Sequence, residues 1–338
     1  MKNAAINEIL TEKGFLLADG ATGTNLFMRG LETGYPPELW NVERPDDIQG
    51  LHALFFDSGS DLVLTNSFGG NALRLKLHDA QDRVTELNLA AARLARKVAA
   101  TATDRQRRPL LVAGSMGPTG ELFEPMGALT HTSTRDIFAA QANALAEGGV
   151  DMLWIETMSS TEEIASALEA AKTTGLPVAA TMTFDTAARS MMGVLPQDFA
   201  VFGAANKADF LGANCGIGPA ELLHSISGMA QAHIDTPLIA KGNCGTPPYV
   251  DGAIHYHGTP ALMADYALFA RDMGVRIIGG CCGTSPDHVA AMSQALAQTP
   301  VRPFDEAAMQ QALGQPWANI PENPGAEGRR KSRRSRRK

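Results

Sequence analysis

The chain has 338 residues, of which 44% are hydrophobic and 19% charged, with a formal net charge of −7. No apolar run approaches the roughly 18 residues that span a bilayer, and the N-terminus lacks a signal-peptide pattern, so a cytoplasmic protein without a membrane partner is expected. Eight of the 29 Lys and Arg residues lie in 329–338. The rest of the chain is therefore strongly acidic, which argues against nucleic acid as a ligand.

Short apolar segments alternate with helical patterns eight times along the chain. These segments are nearly continuous in Val, Ile, Leu, Ala and Met, as is typical of parallel strands buried on both faces. Eight strands are therefore predicted, at 15–19, 61–68, 110–114, 151–157, 177–184, 209–215, 237–243 and 275–282.

The predicted helices begin and end at residues with known capping preferences. In the first helix, Pro45 favours the first turn, and an apolar face is followed by Gly59 as the end. That face consists of Ile48, Leu51 and Phe55. Further helix starts are predicted at Ser133, Ser160, Gly218, Thr259 and Ser285.

Strands that alternate with helices predict a parallel sheet with right-handed crossovers. Eight such units in about 290 residues fit an α/β fold, a single (β/α)8 TIM barrel, over residues 1–298. The alternative is an open doubly wound sheet, but the Asp19-Gly20-Ala21 turn lacks the spaced glycines of a dinucleotide site. Residues 299–328 are predicted as a C-terminal extension with a short helix at 305–313, and 329–338 as a disordered basic tail.

Three of the four cysteines fall at the ends of two predicted strands. Cys215 ends the sixth strand, and Cys281 and Cys282 end the eighth. Both strands flank the seventh, so their ends lie roughly 10 Å apart at the face where barrel enzymes carry their chemistry. Loops can bring such sulfurs to zinc–sulfur distances of about 2.3 Å. The alternative is that these are buried free cysteines, which behave as small hydrophobic residues.

Three thiolates without a fourth protein ligand are typical of a catalytic zinc site with an open position. Such a site has a net charge of −1 and is a poor activator of water. A substrate thiol, with an ordinary pKa of about 8.5, would be held there as the thiolate. The pattern therefore favours alkylation of sulfur.

Five blocks of the sequence resemble the homocysteine S-methyltransferase family over about residues 10–297. The blocks are 19–21 (DGA), 65–68 (TNSF), 117–121 (GPTGE), 212–215 (GANC) and 279–284 (GGCCGT). The resemblance implies that Cys215, Cys281 and Cys282 hold Zn²⁺ and that the zinc binds the sulfur of L-homocysteine, which is converted to methionine. It also implies that Asp19, Gly20, Glu156 and Asn214 help to hold the amino acid, and Asn66 ends the second strand beside them.

The methyl donor is less well defined by the sequence. The chain is too short for folate- and cobalamin-binding domains after the barrel, so a small donor is expected, most simply glycine betaine. The alternatives are S-methylmethionine, or methylcobalamin or methyltetrahydrofolate acting through a separate corrinoid protein. Trp40 is the best aromatic candidate to contact a quaternary ammonium, with Tyr35, Phe68 and Tyr249 behind it. The alternative for Trp40 is a loop anchor on the barrel rim.

Several other interpretations stay open. Glu156 could form an ion pair with Lys241 across the barrel mouth instead of binding substrate. Lys241 could act as a Schiff-base amine in a zinc-free lyase, or the chain could be a non-catalytic subunit that docks a corrinoid protein. Cys244 is interpreted as a packed residue and not a ligand, His255 and His257 as solvated loop residues, and a homo-oligomer is compatible with the sequence.

Overall fold

The computed structural model describes residues 4–245, 249–250, 253–254 and 256–317. Its strands are β1 (Leu16–Leu17), β2 (Leu62–Leu64), β3 (Leu111–Met116), β4 (Met152–Met158), β5 (Val178–Met182), β6 (Phe210–Cys215), β7 (Leu238–Gly242), β8 (Tyr249–Val250), β9 (Ala253–Ile254) and β10 (Ile277–Gly280). Eight of them are parallel neighbours in one sheet, in the order β1-β10-β7-β6-β5-β4-β3-β2. Strands β8 and β9 form a separate antiparallel hairpin.

The sheet closes on itself through β1 and β2. Leu16 and Leu17 pair with Ile277 and Ile278 of β10, and a parallel bridge between Ala18 and Leu62 joins the remaining two edges. The predicted TIM barrel is therefore confirmed. Each barrel strand overlaps one of the eight predicted segments, because a strand buried on both faces leaves a continuous apolar run in the sequence.

Helices surround the barrel and follow its strands. They are α1 (Ala4–Lys13), α2 (Thr22–Met28), α3 (Trp40–Glu43), α4 (Pro45–Asp57), α5 (Ala72–Lys76), α6 (Val84–Gln106), α7 (His131–Glu147), α8 (Thr161–Lys172), α9 (Pro196–Ala205), α10 (Pro219–Ala230), α11 (Pro260–Asp272), α12 (Pro286–Gln298) and α13 (Glu306–Leu313). None of these helices is long and apolar enough to cross a membrane.

Of the six predicted helix starts, five are correct, including Pro45 as the first residue of α4. The N-cap residues of α8, α10, α11 and α12 are the predicted ones, and Ile48, Leu51 and Phe55 of α4 are buried as expected. The start predicted at Ser133 is wrong. Thr130 caps α7, and Ser133 lies three residues later, where the two residues exchange side-chain to backbone hydrogen bonds in a capping box.

Alternate strand residues fill the barrel interior, and α1 closes its N-terminal end. Leu16, Trp154 and Phe210 point inward and belong to one buried cluster with Ile6 and Ile9 of α1. The helices pack on the outward-facing residues in a second, larger cluster. With one end filled by α1, the opposite end, where the strands finish, is left for a site. The predicted tail at 329–338 lies outside the described residues, whereas α13 agrees with the helix expected at 305–313.

Candidate metal centre and substrate cavity

Three thiols meet at the C-terminal end of the barrel. The sulfur atoms of Cys215, Cys281 and Cys282 all lie within 4.8 Å of one another. The Sγ atoms of Cys215 and Cys282 are 3.9 Å apart. Zinc with four ligands at about 2.3 Å requires sulfur atoms about 3.8 Å apart in a tetrahedron. The donor set and its spacing therefore fit a zinc ion with little rearrangement.

Tight turns aim the sulfurs at a common point. Cys215 has a φ of 63° and is followed by Gly216 at 80°, so the chain reverses immediately after β6. In the second turn, Gly283 has a φ of 80°, and a Cβ atom there would lie 2.2 Å from Cγ of Tyr256. Glycine is required at 283 on both counts.

Asn243 joins the two cysteine-bearing turns. Its Nδ2 donates to the carbonyl of Gly216 at 2.5 Å, and its Oδ1 accepts from the backbone N–H of Cys282 at 2.9 Å. The side chain is 4% exposed. Asn243 was not identified from the sequence, although its place directly after β7, between the two cysteine-bearing strands, is a usable signal.

Without a cation, the thiols resist ionisation. The hydrogen bond with Cys215 is the largest influence on Cys281, and burial adds to it, so that the pKa of Cys281 is raised to about 12. At neutral pH these thiols would hold their protons. A divalent cation between the sulfurs would lower the pKa of these thiols and allow them to bind it as thiolates.

A cavity of about 590 Å³ opens at the strand ends and includes the three cysteines in its wall. Its inner part is lined by Glu156, Thr157 and Lys241, and by Ser115. The turn from Gly20 to Thr24, the Leu64–Gly69 segment and Tyr256 complete the walls near the sulfurs. A reacting thiol and a second small molecule could meet there, beside a buried carboxylate.

Glu156 and Asn214 lie side by side but have different surroundings. Glu156 lines the cavity and accepts a short hydrogen bond from Ser115, and burial raises the pKa of its carboxyl group. Asn214 is fully buried and is not among the described residues that line the cavity. Its Oδ1 accepts from the backbone N–H of Thr157 at 2.8 Å, and its Nδ2 donates to the hydroxyl of Thr157 at 2.7 Å. Asn214 therefore positions Thr157, a residue of the cavity wall, without lining the cavity itself.

Lys241 is paired with Asp19, not with Glu156. Its Nζ donates to the carbonyls of Gly20 and Gly280 at 3.0 and 2.5 Å and lies 3.3 Å from Oδ1 of Asp19, without hydrogen-bond geometry. Burial would lower the pKa of Lys241, but the negative charges of Asp19 and of other nearby groups outweigh it and raise the pKa. An ammonium held in this way is a poor Schiff-base nucleophile, and the ion pair suggested between Lys241 and Glu156 is not formed.

Of the remaining predicted residues, Gly20 and Asn66 line the cavity, and Asp19 and Trp40 do not. Asp19 lies behind the wall, where its Oδ2 accepts from the backbone N–H of Leu64. Trp40 is 5% exposed and packs in the core with the guanidinium of Arg44 4.1 Å from its ring. Its position agrees with the loop-anchor interpretation.

Aromatic residues still reach the cavity. Tyr35 and Phe68, which were secondary candidates, line it, and so does Tyr256, which was not identified from the sequence. Burial first, and then the charge of Cys282 and a hydrogen bond with it, raise the pKa of Tyr256. Tyr249 and His255 lie where no side chains are described.

Cys244 is separate from the sulfur cluster. Its thiol is buried and donates to the carbonyl of Gly258 at 3.0 Å, and its Sγ is 3.1 Å from Nε2 of His288. The Nδ1 of His288 accepts from the backbone N–H of Ser285, so the ring links the start of α12 to Gly258. This contact pattern is that of a structural residue.

Comparisons with known proteins agree with this geometry. The Homocysteine S-methyltransferase family profile matches residues 16–296. The methionine synthase of Mycobacterium leprae is 30% identical over 306 residues, and that of Mycobacterium tuberculosis is 29% identical over 337 residues. These matches cover 84% and 93% of this chain but only 24% and 27% of the two relatives.

Among solved structures, the homocysteine methyltransferase MmuM from Escherichia coli has the same fold. Its oxidized form superposes with a TM-score of 0.72 at 25% identity, covering 86% of this chain and 99% of MmuM. Its metallated form gives a TM-score of 0.70 at 24% identity. Since the family profile covers most of the barrel, including all three clustered cysteines, the chain belongs to the homocysteine S-methyltransferase family.

Proposed function

We propose that this protein is a zinc-dependent methyltransferase that converts L-homocysteine to methionine with glycine betaine as the methyl donor. The observation that carries the proposal is the convergence of Cys215, Cys281 and Cys282 within 4.8 Å in the wall of a cavity. When bound there, zinc would lower the pKa of the homocysteine thiol so that it is held as a thiolate.

The surrounding residues are suited to an amino acid. The carboxylate of Glu156 lines the cavity and can pair with the α-ammonium group of homocysteine. The turn that begins at Gly20 lies in the same wall, where its backbone could contact the substrate carboxylate. Asn214 and Lys241 would act indirectly, by fixing Thr157 and the Gly20 carbonyl.

Methyl transfer requires alignment more than acid–base chemistry. The sulfur of homocysteine forms a bond to the methyl carbon while the carbon–nitrogen bond of glycine betaine breaks, and the electron pair leaves with nitrogen as dimethylglycine. The thiol proton passes to solvent, and no general acid is needed for an amine leaving group. Holding the two substrates in line is the main contribution expected from the protein.

Two aromatic side chains in the cavity wall favour a cationic methyl donor. Phe68 and Tyr35 line the cavity, and aromatic faces attract a quaternary ammonium by about 0.5–2 kcal/mol each. The similarity to MmuM, described as a homocysteine methyltransferase, and to two methionine synthases supports homocysteine as the acceptor.

The test combines metal analysis with a donor panel. Purified protein should contain one zinc per chain and form methionine from homocysteine with glycine betaine, in preference to S-methylmethionine, methylcobalamin and methyltetrahydrofolate. Cys215→Ala should lose both zinc and activity, whereas Cys244→Ser, which alters a cysteine outside the cluster, should keep both. A Cys215→Ala variant that retains zinc and activity would overturn the proposed function.

A further inference from the structure

The cavity also carries three ionisable residues to which the proposed methyl transfer assigns no role. Glu38, Arg74 and His78 all line it. Glu38 is only 5% exposed, whereas Arg74 and His78 are exposed. The acidic group therefore lies deeper, and the two basic groups lie towards solvent.

Hydrogen bonds fix the side chain of Glu38 and the backbone of Arg74. Oε1 of Glu38 accepts from the backbone N–H of Gly69 at 2.7 Å, which anchors the turn that carries Phe68. Asn71 is fully buried and caps α5 by accepting from the backbone N–H of Arg74 at 3.0 Å. The backbone of Arg74 is thereby fixed beside the cavity.

The side chain of Arg74 runs along the neighbouring loop. Its Nη1 lies 3.3 Å from the position that a Cβ atom would take at Gly120. Asn71 connects the same two segments, with its Nδ2 3.4 Å from the carbonyls of Gly117 and Pro118. The guanidinium consequently occupies a defined place between two loops of the barrel mouth.

Among the described residues, neither basic group contacts an acidic partner. No ion pair within 4.0 Å involves Arg74 or His78 there, whereas Arg44 is paired with Asp47 at 2.8 Å. Arg74 and His78 do act at longer range on Glu38, where they partly offset the burial that raises its pKa. A guanidinium that lines a cavity without a carboxylate partner is suited to a carboxylate ligand.

We propose that Arg74, assisted by His78, binds the carboxylate of the methyl donor, an inference that rests on the proposed function. The donor is then a small zwitterion whose onium centre lies further in, near Glu38 and the ring of Phe68. The order from inside to outside is the sulfur cluster, the methyl group, the onium centre and the carboxylate. A cavity of about 590 Å³ can hold such a donor together with an amino acid.

The experiment compares donors with and without the carboxylate. For Arg74→Gln, the KM for glycine betaine should rise about 10- to 100-fold, with kcat and the KM for homocysteine changed less than about threefold. Arg74→Lys, which keeps the positive charge but not the two parallel hydrogen bonds of a guanidinium, should have a KM for glycine betaine between those of Arg74→Gln and the unmodified protein. The methyl ester of glycine betaine should be a poor donor for the unmodified protein, and Arg74→Gln should not weaken it further. Arg93→Gln, on α6 and not among the described residues that line the cavity, is the matched control.

Two results would overturn the donor subsite. One is an equal effect of Arg74→Gln on glycine betaine and on its ester, and the other is methionine formation from methylcobalamin alone with no calorimetric binding of glycine betaine. Both would leave homocysteine methylation intact. Absence of methionine with every donor would contradict the proposed function instead, and calorimetric binding of glycine betaine to the unmodified protein and to Arg74→Gln would then decide the subsite.

Discussion

Asn243 provides the sharpest test of how the metal centre is assembled. Replacing it by alanine removes the contact to the Gly216 carbonyl and the contact from the Cys282 backbone N–H. These are the contacts through which one side chain connects the two turns that carry the cysteines. We expect Asn243→Ala to weaken zinc binding while leaving the three thiols in the chain.

The size of the expected effect follows from the two backbone groups that would lose their partner, the Gly216 carbonyl and the Cys282 N–H. Each unpaired buried backbone group costs about 1–3 kcal/mol, and the loss of a residue that orients metal ligands typically lowers metal affinity about 10- to 100-fold. Both bonds of Asn243 are only partly buried, so the lower end of that range applies to each of the two groups. We therefore expect a zinc affinity at least about 10-fold lower, with a loss of unfolding free energy of about 2 kcal/mol.

Competition with a chromogenic zinc chelator at pH 7 would measure the affinity, and urea unfolding would measure stability. The matched control is Asn88→Ala. Asn88 is fully buried and also makes two hydrogen bonds to the backbone, since its Nδ2 donates to the carbonyls of Gly70 and Val84, away from the cysteine-bearing turns. This control should lose stability but keep its zinc affinity. Equal zinc affinities of Asn243→Ala and the unmodified protein, or an equal loss in both variants, would refute the reasoning.

Three further predictions concern stability. The buried ring of His52 has no hydrogen-bond partner in the described residues, and burial lowers its pKa from 6.5 to about 4. Because the unfolded chain binds this proton more readily, stability is lost as pH falls from about 6.5 to about 4, by up to about 3 kcal/mol, and urea titrations of His52→Leu should lack that loss. Lys241→Met leaves Asp19 buried without its cation and should cost about 3–5 kcal/mol in urea unfolding; a neutral result would refute the ion pair. Cys244→Ala removes the bond to Gly258 and should cost about 1 kcal/mol in thermal unfolding with zinc content unchanged; zinc loss would contradict its structural role.

The barrel could be predicted because its pattern is local and repeated. Each parallel strand is buried on both faces, so eight apolar segments stand out between amphipathic helices. Helix α1 was not predicted, although its buried Ile6, Ile9 and Leu10 lie at i, i+3 and i+4, the spacing of an amphipathic helix. The start of α7 was misplaced because both Thr130 and Ser133 are good capping residues, and only their reciprocal hydrogen bonds distinguish them.

The site could be predicted in part, for a different reason. Strand ends in a parallel barrel share one face, so Cys215 and the Cys281–Cys282 pair were expected to approach each other, and they do. The exact partners of polar side chains depend on contacts between distant segments, which no local pattern encodes. Trp40 shows the limit, since a loop tryptophan reads the same in sequence whether it faces a ligand or, as here, the core.

The positions of unfavourable backbone geometry show how the barrel shapes this site. Thr157 and Cys215 both have φ near 60°, a conformation that costs about 1–2 kcal/mol for a residue with a side chain, and both lie at the ends of barrel strands. Asn214 compensates at Thr157 by bonding its backbone N–H and its hydroxyl, and Asn214 is itself held by the hydroxyl of Thr181 in the neighbouring strand. The strained turn at Thr157 is thus supported by buried hydrogen bonds between strands. Both strained residues lie where a functional group enters the cavity wall. Cys215 itself contributes a sulfur, and Thr157 follows Glu156, which contributes a carboxylate.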